Sequence, residues 1–204
     1  MFKLDHLMIE VDNPQIIAND IASKFKLPYA WPLIQTDNYL SIGINFGDIN
    51  IEFIKFNKRF GIGNINYDGF SGIAFTPTNS ELNYEEYLKN KNLFCKIGEE
   101  TETYTTTTIE CNEVFPTIFL VKYHFDTAGW KKKLKDDFEN CKGGVYGIKN
   151  FKSLEVDFSK VEKQYLFEEF KITSSTINQI TFSSSSSNEK KVINIIPNLK
   201  IIVI

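Results

Sequence analysis

The chain has 204 residues, 42% of them hydrophobic, so it can bury a sizeable core and does not read as disordered. Its 23 basic and 26 acidic residues leave a formal charge of -3 and are spread along the chain. That balance offers no basic face to a nucleic-acid backbone or an anionic lipid surface, and neither is expected as a partner.

The opening Met1-Phe2-Lys3-Leu4-Asp5-His6 runs straight into an alternating pattern, without the charged stretch and long apolar run of an export signal. Val192 to Ile196 is apolar but is broken by Pro197 and Asn198, far short of the ~20 residues a membrane helix needs. Cys95, Cys111 and Cys141 are odd in number and lack CxxC spacing, so they read as ordinary thiols in a reducing, cytoplasmic setting.

Leu4 to Val11 has strand character. Asp12-Asn13-Pro14 then supplies a turn, an N-cap at Asn13 and a proline at the first helical position. Ile17, Ile21 and Phe25 recur every four residues as one apolar stripe, and Leu27-Pro28 ends the helix. A short strand is expected around Tyr29 to Ile34. Tyr39 to Phe46 and Ile49 to Phe56 are two strands joined at Gly47-Asp48. This is a β-α-β-β-β unit.

The same order recurs. Phe70 to Thr76 predicts a strand and Ser80 to Asn90 a helix capped by Ser80, followed by strands around Thr103 to Glu110 and Thr117 to His124. Trp130 to Asn140 is a charged helical connector whose Lys131-Lys132-Lys133 run faces solvent, and Gly143-Gly144 ends it. Ile148 to Val156 predicts a strand, Ser159 to Phe170 a helix, and Thr176 to Phe182, Lys190 to Ile196 and Leu199 to Ile204 three further strands. Glu10-Val11-Asp12 and Glu155-Val156-Asp157 end the first strands of units one and three alike. The serine run Ser183 to Ser187 suits a hairpin loop.

The Gly47-Asp48 turn fixes a register in which Ile42, Ile44, Phe46, Ile49, Ile51 and Phe53 share an apolar face. The reverse face carries Ser41, Asn45, Asn50 and Glu52, with Gly43 opposite Glu52, and Tyr39, Ile54 and Phe56 farther along. In the first strand Leu7, Ile9 and Val11 are apolar, leaving His6, Met8 and Glu10 on the reverse. His6 and Glu52 are thus expected to face one cavity, with Glu52 as the catalytic candidate and Asn45, Asn50, Met8, Glu10 and Tyr39 as ligand-binding candidates. A glutamate placed there would be partly desolvated, which favours either a raised pKa or a cationic partner such as protonated His6 or a metal. The bland alternatives are a hydrogen-bonded core histidine, a salt-bridged glutamate and a cross-strand amide pair.

Leu4-Asp5-His6-Leu7-Met8-Ile9-Glu10-Val11, the short helix, Leu27-Pro28-Tyr29-Ala30-Trp31-Pro32 and Asn50-Ile51-Glu52-Phe53-Ile54 resemble the first module of the glyoxalase/bleomycin-resistance/dioxygenase proteins, the vicinal-oxygen-chelate superfamily. The resemblance covers residues 1 to 56 well. Gly72-Ile73-Ala74-Phe75 and Pro116-Thr117-Ile118-Phe119-Leu120 resemble strands of a second module more loosely. It implies an α+β fold of repeated β-α-β-β-β units with curved mixed sheets around a cavity. Residues 1–125 would form a glyoxalase-like domain (units 1–60 and 68–125), 126–144 a connector, and 145–204 a third unit. A partner chain covering a free sheet edge would make a homodimer.

The resemblance also implies that His6 and Glu52 bind a divalent metal, Zn, Mn, Fe or Ni being indistinguishable. The two further ligand places hold Gly72 and, by strand-end alignment, Leu120, or Phe151 and Ile202 if unit three is the partner. None of these is a ligand. His124, a further ligand-binding candidate, shares the parity of Leu120 but lies four residues on, roughly 13 Å away, and would complete a metal site only in another register. Three functions remain open: a metal-assisted lyase, isomerase or dioxygenase; a non-catalytic protein that binds or sequesters a small organic molecule, the aromatic lining and slight net acidity being compatible with a cationic one; and a repeat-built interaction protein with no small-molecule site. No GxGxxG, GxxxxGK, GxSxG or HExxH string is present, and Gly61-Ile62-Gly63-Asn64 leads into no helix.

Overall fold

A computed structural model describes residues 2–58, 67–79, 83–109, 116–158, 170–185 and 190–204. Phe2–Glu10 forms β1, with Leu7 and Ile9 fully buried on one face. Asn13 caps α1 (Pro14–Phe25), its side-chain oxygen accepting from the Ile16 N–H at 3.1 Å, and Pro14 sits where a missing N–H costs nothing. Ile21 and Phe25 are buried as their spacing predicts, which stabilises by about 1.5–3 kcal/mol each. Ile17 is only half-buried, and Ala18 takes the neighbouring core position.

Strands β2 (Tyr29–Gln35), β3 (Tyr39–Asn45) and β4 (Asn50–Phe56) complete unit one. The Phe46 N–H donates to the Ile49 carbonyl across the turn, and Gly43 lies opposite Glu52, the register the turn position predicts. β4 runs parallel to β1.

Unit two consists of β5 (Gly69–Pro77), α2 (Tyr84–Asn90), β6 (Cys95–Glu100), β7 (Tyr104–Ile109) and β8 (Thr117–Tyr123). Its helix is capped by Asn83, whose side chain accepts from the Glu86 N–H at 3.2 Å; Ser80, the expected cap, lies outside the described residues. β6 was not among the expected strands. It is an edge strand that buries little, so its sequence lacks a clear alternation.

β1 pairs antiparallel with β5, and the two units join into one mixed, curled sheet of order β2-β3-β4-β1-β5-β8-β7-β6. Unit two is therefore the partner of unit one. Leu7, Ile9, Ile44, Ile51, Phe53, Ile73, Ile118 and Leu120 face the main core on the outer side, whereas Met8, Tyr39, Ile54, Ala74, Phe119 and Val121 form a second cluster on the inner side.

Helix α3 (Ala128–Asn140) lies against unit one through Trp130, Leu134 and Phe138, one residue per turn. The Trp130 Nε1–H donates to the Ala30 carbonyl at 3.3 Å. On its wet face Lys132, Lys133 and Lys135 pair with Asp136, Asp137 and Glu139, solvent-exposed i,i+4 contacts that add little to stability. The chain then turns at Gly143, with φ of 70°, where a Cβ would fall 1.9 Å from the Ile148 carbonyl oxygen.

The last segment forms β9 (Ile148–Asp157), β10 (Thr173–Ser175), β11 (Gln179–Ser184), β12 (Lys191–Ile196) and β13 (Leu199–Val203), in the order β10-β9-β11-β13-β12. In units one and two the first strand runs parallel to the last. Here β9 lies between β10 and β11, and β13 pairs with β11 and β12. The segment is thus not a copy of the other units in its pairing, despite its similar element order. The helix expected from Ser159 falls on residues 159–169, outside the described residues. This second sheet packs on the outer face of the first: Phe46 and Phe182 stack at 5.7 Å, Phe75 and Phe170 meet at 4.7 Å, and both sheets share one hydrophobic core. Ser183 and Ser184, expected in a hairpin loop, belong to β11, and the Ser184 and Ser185 hydroxyls donate to the Tyr146 and Gly147 carbonyls.

Among the described residues no helix is long and apolar enough to cross a membrane. Cys141 is a free thiol, and Cys111 lies outside the described residues.

Candidate ligand cavity

The inner face of the eight-stranded sheet and Trp130 of α3 enclose a cavity of about 480 Å³, within the range of small-molecule sites. β1 contributes His6 and Met8, β3 Tyr39 and Ser41, β4 Glu52, Ile54 and Phe56, and β8 Phe119, Val121 and Tyr123. Only β5 contributes nothing, because its inward positions are Gly72 and Ala74. A Cβ on Gly72 would lie 2.7 Å from the Met8 methyl, so Met8 already occupies that space.

His6 is buried between two carboxylates. Its Nδ1 lies 2.8 Å from Asp5 Oδ2 and its Nε2 3.4 Å from Glu52 Oε2. Adjacent residues of a regular strand point to opposite faces, but the β1–β5 register slips between Leu4 and His6. Asp5 is the extra residue of that bulge, which lets its carboxylate reach the ring of the residue that follows it. Burial alone would discharge His6, yet hydrogen bonds to Asp5 and Glu52 outweigh it and raise its pKa to about 9. Asp5 resists its own burial in the same way, its pKa lowered by His6 and by a 2.9 Å hydrogen bond from the Tyr123 hydroxyl. At neutral pH the group is an imidazolium held by two carboxylates.

Glu52 is also fixed from the β3 side, where the Ser41 hydroxyl donates to its Oε1 and in turn accepts from the Trp31 Nε1–H at 3.1 Å. Gly43, opposite Glu52 in register, makes room for Trp31 and not for the carboxylate: a Cβ there would lie 2.5 Å from the indole ring. The indole meets His6 edge-on at 5.8 Å and Trp130 at 6.5 Å.

The opposite wall carries a second polar chain, in which the Tyr39 and Tyr104 hydroxyls are 2.7 Å apart and the Tyr104 hydroxyl donates to Glu99 Oε2 at 2.8 Å. Burial, helped by nearby carboxylates, raises the pKa of Tyr39, Tyr104 and Tyr123, so all three remain protonated phenols at neutral pH.

His6, Glu52, Met8 and Tyr39 therefore share one cavity, whereas four other candidates lie elsewhere. Asn45 shares the face of Glu52, but beyond the Trp31 indole. There its amide donates to the Leu134 carbonyl of α3 at 2.7 Å and its oxygen accepts from the Gly47 N–H, so it locks helix and hairpin together. Asn50 lines a separate, lysine-rich groove of about 650 Å³ between α3, β1 and β9. Glu10 is buried at the far end of β1 and does not line the cavity. His124 is exposed, its Nε2 2.8 Å from the Thr105 hydroxyl, while its neighbour Tyr123 points inward.

The residues present do not match the full ligand set that the fold resemblance implies. Met8 lies beside Glu52 across β1–β4, two residues after His6; two residues after Gly72 is Ala74, whose partner on β8 is Phe119. The counterpart of Glu52 is thus Phe119, and not Leu120, which faces the outer core. The Phe119 ring packs against His6 at 5.8 Å. Among the described residues no group of three or more His, Cys, Asp and Glu side chains is arranged to hold a metal ion.

Two β-α-β-β-β units paired through their first strands, with a cavity on the inner face of the joint sheet, define a glyoxalase-like fold. No family model matches the sequence, and no curated protein is similar to it. Among solved structures, a hypothetical protein from Staphylococcus aureus is similar over 100% of this chain and 99% of its own, with 10% identity and a TM-score of 0.62, a likeness of fold. A hypothetical protein from Bacillus halodurans is 12% identical over 61% of this chain and 96% of its own, with a TM-score of 0.49. The methylmalonyl-CoA epimerase of Mycobacterium tuberculosis is 12% identical over 58% of this chain and 86% of its own, with a TM-score of 0.46.

Proposed function

We propose that this protein binds a small organic molecule in the cavity of its eight-stranded sheet, with the His6–Glu52 pair as polar anchor and no resident metal. The observation that carries the reading is a ligand-sized space whose wall is mostly aromatic and aliphatic, with a few convergent polar groups held by second partners. The pair is held in place because the charge of His6 is stabilised from behind by Asp5 and met by Glu52. The chain has two tryptophans, and both line the cavity, so intrinsic fluorescence reports directly on its occupancy. Titration with a diverse set of small organic molecules is expected to give saturable fluorescence changes that Val121→Phe, which pushes a ring into the cavity, abolishes while the variant still unfolds cooperatively. Changes that persist unaltered in that variant would place binding elsewhere.

A second reading, a metal-assisted lyase, isomerase or dioxygenase, is favoured by one observation, the approach of His6 Nε2 and Glu52 Oε2 to 3.4 Å. Two protein ligands would need water and substrate to complete the shell. Metal analysis of protein purified without chelator separates the readings: stoichiometric metal, lost in Glu52→Gln, supports the second.

A further inference from the structure

We propose that the molecule held in this cavity is an organic cation, its charged group placed between Glu52 and Glu99 and enclosed by aromatic rings. The inference rests on the proposed binding role of the cavity and specifies the chemistry of its occupant.

Among the described residues that line the cavity, eight are Phe, Tyr or Trp and none is Lys or Arg. Two carboxylates, Glu52 and Glu99, enter from separate walls, β4 and β6. The single cation among the described lining residues, His6, is already engaged by Glu52 and, from behind, by Asp5. Among the described lining residues one imidazolium meets two carboxylates, and behind it Asp5 is met by the charge of Lys131, so one negative charge is left in excess. An anionic ligand would meet Glu52 and Glu99 with no free cation to receive it.

A neutral apolar ligand would fit the aromatic walls but would leave that excess uncompensated. An organic cation satisfies both features, because the faces of Trp, Tyr and Phe attract positive charge and the carboxylates supply the counter-charge. The fixed orientation of the second carboxylate supports this. Glu99 is held by the Tyr104 hydroxyl, which is linked to Tyr39, so the negative charge is positioned before any ligand arrives. The breadth of the aromatic wall suits a quaternary or tertiary ammonium better than a small inorganic ion, which would need oxygen ligands on all sides.

Isothermal titration calorimetry with benzyltrimethylammonium, its uncharged isostere neopentylbenzene and the anion 3-phenylpropanoate tests the inference. The cation is expected to bind and the anion not to bind. Glu99→Gln, which keeps the shape and the acceptor for Tyr104, is expected to weaken the cation about tenfold while changing the neutral isostere less than twofold. Equal effects of Glu99→Gln on cation and isostere overturn the inference. If neopentylbenzene binds and the cation does not, the charge assignment is wrong and the cavity reading stands; if none of the three binds, both fall.

Discussion

His6 Nε2 and Glu52 Oε2 approach to 3.4 Å from two parallel strands of one sheet, and the residue before His6 supplies the second carboxylate that keeps the imidazole charged. The site is therefore prepared as an ion cluster, and its behaviour with pH and substitution follows from that.

Replacing Glu52 with glutamine removes one of the carboxylates that raise the His6 pKa while retaining the shape of the side chain. The His6 pKa, read from ring-proton shifts across a pH titration, is expected to fall from about 9 toward its ordinary value. Stability should drop by about 1–3 kcal/mol at neutral pH, since a buried charge loses a partner and Asp5 remains. An unchanged His6 titration would show that Glu52 does not act on it.

The same cluster links stability to pH. The folded pKa of His6 lies above its unfolded value of 6.5, so its contribution is complete below about 6.5 and is lost as pH rises to about 9. Asp5 has a lowered folded pKa, so its contribution is present above its unfolded value of 3.8 and is lost as pH falls through the folded one. Denaturant unfolding from pH 5 to pH 9.5 should show this alkaline loss in the wild type and a smaller one in His6→Asn. Parallel profiles would contradict the assignment.

Gly43 has no room for a Cβ beneath the Trp31 indole. Gly43→Ala should displace that ring, break its bond to Ser41 and cost about 1–3 kcal/mol. A blue or red shift of tryptophan emission should accompany the loss; wild-type emission and stability would show that the ring does not lie over Gly43.

A homodimer is proposed on the open edges of the large sheet. Edge strand β6 exposes Ile97, and Phe94 is exposed just before it. Light scattering should return twice the 23.5 kDa chain mass, and Phe94→Glu with Ile97→Lys should return it to one chain. A monomer mass at high concentration in the unsubstituted protein would refute this.

Unit one was legible because two local signals fix its faces. The Gly47-Asp48 turn sets the hairpin register, and Leu7 and Ile9 alternate with His6 and Met8 on β1. In β8 the run Ile118-Phe119-Leu120-Val121 is apolar on both faces, so alternation gives no parity, and alignment by strand ends chose Leu120 over Phe119. Asp5 escaped because a bulge, which no periodicity reveals, turns it toward the site. Asn45 lies on the expected face, but a helix 89 positions later takes its amide, a long-range contact absent from local pattern. The pairing of β9 with β10 and β11 was equally invisible, since element order alone does not determine which strands meet.

The central claim is that the cavity on the inner face of the large sheet holds a small organic molecule. The two indole N–H signals in a ¹H–¹⁵N spectrum test it most directly, because Trp31 lines this cavity and not the lysine-rich groove, which Trp130 also borders. Titration with a bound compound should shift both indole signals along one saturation curve, and neither in Val121→Phe. A shift of Trp130 alone, with Trp31 and the signals of β3 and β4 unmoved, would place the ligand in the groove and contradict the account.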